Sequence, residues 1–266
     1  MRRPICFITT MLGLSFTFAQ NLFVVPYSTN DPFPTSSKVM AIENYWGEAN
    51  KEWKTKDIRN SDGYIIAQYN RTSAGTIEYR KMKYSDGYVS SCLWGSIEGN
   101  NDSVYKELSA IYDMHNRRVD IKLRENKKDY SFEGDIKVND NAIVGYVIRW
   151  PNGETEEFEK GSVGDNSYYE YRNYDNDGEY DHYTKWVFNK LGLCSLTDKN
   201  NKSGFVSITS YAKEEKDILS IKREVNGKII DDSRYKYTFD EHNNWIKRSL
   251  VGDESNPDVY RVIRYE

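Results

Sequence analysis

Seven glycines divide most of this chain into segments of nearly equal length. They are Gly63, Gly87, Gly153, Gly178, Gly204, Gly227 and Gly252, and the gaps within the two runs are 24, then 25, 26, 23 and 25 residues. Most follow a small polar residue, as in Asp62-Gly63, Asp86-Gly87, Asn152-Gly153, Asp177-Gly178, Ser203-Gly204 and Asn226-Gly227. Such pairs reach the positive φ angles of tight hairpin turns. A segment of that length holds two ordinary strands and two turns. The chain therefore reads as repeated antiparallel β-hairpins, an all-β architecture in one long twisted or rolled sheet. A flat sheet of that size would be unusual, and its edges would invite aggregation.

The segments between the turns carry the strand signature. Ile77, Tyr79 and Lys81 alternate with Glu78, Arg80 and Met82, and Tyr235, Tyr237 and Phe239 alternate with Lys236 and Thr238. Period-2 alternation with aromatic and β-branched residues is what a half-buried strand requires. Between Gly87 and Gly153 the repeat blurs. The hairpins of residues 96–141 are thus expected to be irregular or longer, and irregularity in a repeat array often marks the partner surface.

The N-terminal region reads differently. Residues 1–19 have the order of an export signal: Arg2 and Arg3, an apolar run from Ile5 to Phe18, and Thr17-Phe18-Ala19 as a small-x-small cleavage site. Residues 20–37 hold Pro26, Pro32 and Pro34 among polar residues, an extended leader. Val39, Ile42, Trp46, Ala49 and Trp53 are spaced 3, 4, 3, 4, the stripe of a short helix over 38–55 covering one end or face of the sheet. A hairpin turning at Gly47 is the alternative. Residues 38–266 form the hairpin-repeat domain.

Composition bounds the function classes. The net charge is -4 with no concentrated Lys/Arg block, which argues against nucleic acid as partner. Hydrophobic content is 38 % and mean hydropathy is -0.80, yet there are 22 tyrosines, which a disordered chain would lack. Beyond the export signal, no segment is apolar enough for a transmembrane span.

Four segments look alike around their turns. Ile77-Glu78-Tyr79-Arg80 leads to Asp86-Gly87, Tyr169-Glu170-Tyr171-Arg172 to Asp177-Gly178, Leu219-Ser220-Ile221-Lys222 to Asn226-Gly227, and Arg234-Tyr235-Lys236-Tyr237 to Phe239-Asp240-Glu241-His242-Asn243-Asn244-Trp245. The last resembles the YD-repeat of RHS-like proteins, in the degenerate form of secreted Bacteroidetes-type chains. It departs from the motif at Phe239 in place of tyrosine and Asn243 in place of glycine. The resemblance covers short pieces of the chain and implies hairpins rather than an activity.

Few residues suggest chemistry. Asn173, Asp175, Asp177 and Asp181 place oxygen ligands before and after Gly178, as a calcium loop needs, although Thr184 stands where an EF-hand-like loop has its bidentate carboxylate. An acidic hairpin tip is the plainer reading. His115, His182 and His242 have no metal-ligand spacing. Glu154, Glu156, Glu157 and Glu159 read as the wet face of a strand. In an oxidising compartment Cys92 and Cys194 can form one disulfide, or remain two separately buried thiols. Trp94, Trp150, Trp186 and Trp245 serve either as exposed ligand-binding platforms or as cross-strand packing. The sequence is therefore read as an exported, non-enzymatic binding or structural protein of the periplasm, outer surface or exterior, its partner a protein or a glycan. A hydrolase acting on surface polysaccharide and a calcium-stabilised module are the alternatives.

Overall fold

The computed structural model describes residues 39–46 and 52–266, apart from residues 141, 191, 216 and 256. The export signal and the leader of residues 20–37 lie outside the described residues.

Eighteen strands follow one another along the chain. They are β1 (Val39–Trp46), β2 (Thr55–Arg59), β3 (Ile65–Arg71), β4 (Ile77–Ser85), β5 (Tyr88–Glu98), β6 (Asn101–Asp113), β7 (Arg118–Glu125), β8 (Lys128–Asn139) and β9 (Ala142–Arg149), then β10 (Thr155–Val163), β11 (Asn166–Tyr174), β12 (Tyr180–Asn189), β13 (Gly192–Asn200), β14 (Phe205–Lys213), β15 (Ile218–Val225), β16 (Lys228–Phe239), β17 (Trp245–Leu250) and β18 (Val259–Tyr265). Each pairs antiparallel with the next, and β1 pairs with both β2 and β18, with Ile42 opposite Asp57 on one side and Ile263 on the other. The ring is closed. An up-and-down barrel removes every edge, so the expected rolled sheet ends in full closure rather than in a long open sheet.

Two expectations are corrected here and one is narrowed. The stripe from Val39 to Trp46 is strand β1, not a helix; Val39, Ile42 and Asn44 lie on the inner side because β1 is the strand that closes the ring. The middle hairpins are longer rather than irregular: β6 and β8 have 13 and 12 residues, and both pair with β7 residue by residue. The likeness to a YD-repeat chain also falls, because an 18-stranded closed barrel is not a string of shell-forming hairpins, and the shared motif is turn chemistry alone.

The turns explain both the repeat and its gap. Asp86-Gly87 (φ 53° and 81°) and Asn226-Gly227 (φ 49° and 77°) have positive φ at both positions, the two-residue turn whose twist matches that of its strands. In the middle segment Arg117, Asn126, Lys127 and Asp140 take positive φ instead. Gly99 marks the β5–β6 turn, and the next three turns are there without glycine to mark them.

All described strands belong to the ring, so nothing among the described residues covers its outer wall, and the mainly buried face of each strand is the inner face. On β7, Val119, Ile121 and Leu123 are buried while Arg118, Asp120, Lys122 and Arg124 are exposed. Val119, Ile121, Ile143 and Ile148 have 0 % exposure, so this part of the interior is packed rather than water-filled. One continuous cluster runs from Ile65 on β3 to Leu193 on β13, and a smaller one holds Leu219, Tyr237, Trp245 and Val259. Tyr88 on β5 reaches across to β9, where its hydroxyl accepts the backbone N–H of Ile143 at 2.8 Å. A contact between strands four places apart requires a sharply curved wall.

Candidate functional site

The interior is the first place to look for a site. Trp94, Trp150, Trp186 and Trp245 all point inward and are buried. Trp150 packs on Phe132 with ring centroids 4.6 Å apart, Trp245 meets Tyr237 at 5.4 Å, and Arg261 lies 3.4 Å above the Trp245 ring. They form the core of the barrel rather than a platform on its surface. The exposed tryptophan is Trp46, at the end of β1.

Glu156 is also inside, although the sequence placed it on a wet strand face. It is 3 % exposed, flanked by the indole of Trp150 and the hydroxyl of Tyr171. Burial pushes its pKa up to about 8, against the pull of those two donors and of Lys106 from β6. A neutral carboxyl is what an apolar interior favours. Further toward the mouth, Nε2 of His182 lies 3.1 Å from Asp198 Oδ1 and 3.1 Å from Thr184 Oγ1. A hydroxyl-activating relay needs the base at one ring nitrogen and its orienting carboxylate at the other. Here both contacts use the same nitrogen.

The acidic hairpin tip is built from its own turn. Asp175 Oδ1 accepts the backbone N–H groups of Asp177 and Glu179, at 3.1 and 3.0 Å. Lys202 from the neighbouring hairpin reaches Asp175 at 3.6 Å and Asp181 at 3.3 Å. An ammonium thus stands beside the two carboxylates. Among the described residues, no group of three or more His, Cys, Asp or Glu side chains could hold a metal ion. Cys92 on β5 is buried and Cys194 on β13 half-buried, and both are free thiols in this structure.

The outer wall holds a different feature. An open groove of about 620 Å³ lies over β4 to β8. The ladder registers assemble its lining: Lys83 is opposite Ser91, Ser91 opposite Ser109, Ser109 opposite Lys122, and Lys122 opposite Ser131. A second row follows two residues along, with Leu93 opposite Glu107, Glu107 opposite Arg124, and Arg124 opposite Asp129. Five adjacent strands span roughly 19 Å at about 4.8 Å each. Two short serines, Ser91 and Ser109, lie between Lys83 and Lys122, and the longer side chains of the second row stand along their flank.

The electrostatics of the two rows differ. Arg124 is committed, its Nε 2.8 Å from Asp129 and its charge opposite Glu107. Lys83 and Lys122 have no acidic partner within ion-pair distance among the described residues. The lining carries three cations, Lys83, Lys122 and Arg124, against two acids, Glu107 and Asp129, on a chain whose net charge is -4. No sequence pattern could have revealed this row, since its members lie on five strands and only the register brings them together. The expectation of a partner surface in residues 96–141 touches it, since β6, β7 and β8 supply most of the lining, but regular pairing rather than irregularity builds it.

Comparison with known proteins adds little. No family model and no curated protein matches the chain. Among solved structures, the chain is similar to a porin-like protein from Bacteroides uniformis ATCC 8492, at 10 % identity and a TM-score of 0.38, over 88 % of this chain and 99 % of that one. At so low a score the likeness carries no argument about how this barrel is used.

Proposed function

We propose that this chain is an exported, non-enzymatic binding protein of the cell envelope or exterior, and that it meets its glycan or protein partner with its outer wall. The observation that carries this reading is the polarity of the barrel. A barrel that spans a membrane turns an apolar band outward and polar groups inward. On β7 and β8 this one does the reverse: the outward rows are Arg118, Asp120, Lys122, Arg124, Asp129, Glu133 and Asp135, and the inward rows hold Val119, Ile121, Leu123, Phe132 and Ile136. No helix among the described residues is long and apolar enough to cross a membrane, which by itself says nothing of strands; the charged outer wall does bear on strands. Export rests on the order of residues 1–19.

A hydrolase would need two carboxylates facing each other in a cleft. The groove offers Glu107 and Asp129, and Asp129 is held by Arg124.

The test is a thermal-shift screen of the purified protein, without detergent, against neutral and acidic polysaccharides, together with capture from an envelope extract. A ligand that binds the native state raises the midpoint by mass action. The reading predicts a soluble, cooperatively melting protein and either a glycan-dependent rise or a captured protein. A chain that folds only in detergent or lipid and conducts ions, or that shortens the polysaccharide, would overturn it.

A further inference from the structure

We infer that the outer groove over β4–β8 binds an acidic polysaccharide, with its carboxylate or sulfate groups on Lys83 and Lys122 and its hydroxyls on the serines between them. This rests on the outer wall being the binding surface and names the ligand class for it. Three observations carry it. The groove is a shallow, open depression of about 620 Å³ on a wall that no described residue covers. Its two outer cations are uncommitted: the other groove cation, Arg124, is tied to Asp129 at 2.8 Å, and a neighbouring lysine, Lys81, lies 4.4 Å over the Tyr79 ring, whereas Lys83 and Lys122 have neither kind of partner among the described residues. Between them lie Ser91 and Ser109, and Ser131 follows beyond Lys122; the three hydroxyls have no side-chain hydrogen bond among the described residues, and Ser109 and Ser131 are exposed.

The chemistry of the lining selects the occupant. A protein partner would be anchored by large apolar or aromatic side chains in a desolvated centre. Here the outward rows are serine and charged side chains with Leu93 as their one apolar member, and Leu108 and Leu123 belong to the buried face of the sheet. Hydroxyl donors and acceptors in a row suit a ligand that presents hydroxyls along its length. Ammonium groups three ladder steps apart, roughly 14 Å, suit anionic groups spaced along an extended chain. The long axis of the trough crosses the strands, so the polymer lies across β4–β8 rather than along any one of them.

Affinity electrophoresis with polygalacturonate or dextran in the gel tests this. The protein is expected to be retarded by polygalacturonate and not by dextran, with the retardation falling as salt rises. Lys83→Gln/Lys122→Gln, both at exposed positions, should weaken retardation about tenfold. Ser109→Trp, which fills the trough without changing charge, should weaken it as well. Lys222→Gln/Lys236→Gln, elsewhere on the outer wall, should leave it unchanged. Equal retardation of the groove and control variants would overturn the inference, as would equal retardation by dextran or binding to anionic phosphatidylglycerol vesicles in place of the polymer. If no polysaccharide is retarded but a protein is captured from envelope extract, the inference fails and the wider reading stands. If neither occurs, both fail.

Discussion

The two sides of the barrel interior are built on different terms. From β3 to β13 the inward side chains are mostly apolar, one cluster that includes Val89, Val119, Ile143 and Phe158. From β14 around to β2 the smaller cluster of Leu219, Tyr237, Trp245 and Val259 shares the interior with polar side chains: Ser207, Thr209, Arg223, Asp231, Ser233, Arg248, Arg261, Asn44 and Asp57. There, hydrogen bonds and ion pairs stand beside ring contacts such as Tyr237 on Trp245. Arg248 grips Asp258 with Nε at 3.1 and 3.0 Å and a terminal nitrogen at 2.5 Å, and Gln68 donates to the buried carboxylate of Asp57 at 2.9 Å. The comparison teaches that barrel closure does not require one kind of filling. The apolar side supplies the hydrophobic driving force, while the polar side joins the ring shut at β18, β1 and β2 with directional bonds.

Truncating a side chain on each side should separate the two most sharply. Phe158 is buried among Tyr146, at 5.6 Å, and Tyr169, at 6.2 Å. Phe158→Ala should cost about 3–5 kcal/mol. Ile221→Val, at a half-buried position on β15, should cost about 1 kcal/mol or less. Urea midpoints with unchanged slopes would read both. Equal losses for the two variants would mean that the polar side is packed as tightly as the apolar one.

Glu156 is the polar intruder on the apolar side, and it gives that side a pH dependence. Its folded-state pKa is raised by burial from 4.5 to about 8. Between those values the folded state therefore holds a proton that the unfolded chain has released. Stability should fall as pH rises through this window and level off above it. A rigid site would make the whole interval worth about 5 kcal/mol, and relaxation with water entry brings that toward about 2–3 kcal/mol. The groups facing it are Lys106, Tyr146, Tyr171, Trp150 and Glu154. Urea midpoints from pH 5 to 8.5 should show the decline in the parent protein and lose most of it in Glu156→Gln. A slope that survives the substitution would place the titrating group elsewhere.

Much of the fold was legible in the chain because hairpins are local. The Asp-Gly and Asn-Gly turns fall where positive φ was expected, and Ile218–Val225 and Val259–Tyr265 are strands over the residues that alternation indicated. Closure was not legible, because it rests on β1 pairing with β18 across more than two hundred residues of sequence. The inside and outside of Glu156 and Glu157 were not legible either. Both are glutamates in one acidic run, and only the register with Ile148 and Asn173 turns Glu156 inward. The groove was invisible for the same reason. Lys83 and Ser131 become members of one row only after four ladders have been paired.

The glycine repeat contains one more lesson, and it supports the smallest prediction. Successive turns alternate between the two ends of an up-and-down barrel. Gly63 and Gly87 follow β2 and β4, whereas Gly153, Gly178, Gly204 and Gly227 follow β9, β11, β13 and β15, so the two runs mark opposite ends. The phase slips within β6–β9, where the β7–β8 hairpin turns through Asn126 and Lys127 at φ 50° and 66°. Asparagine tolerates that region, but lysine has its Cβ against the following carbonyl. The turn that Asp86-Gly87 and Asn226-Gly227 make without strain is therefore made with strain at Lys127. Lys127→Gly should stabilise the barrel by about 0.5–1 kcal/mol, the relief of strain exceeding the added freedom of the unfolded chain. Lys127→Ala, which keeps the Cβ, should give no such gain. A stabilisation shared by both variants would trace the effect to the lysine charge beside Lys128 and not to the backbone.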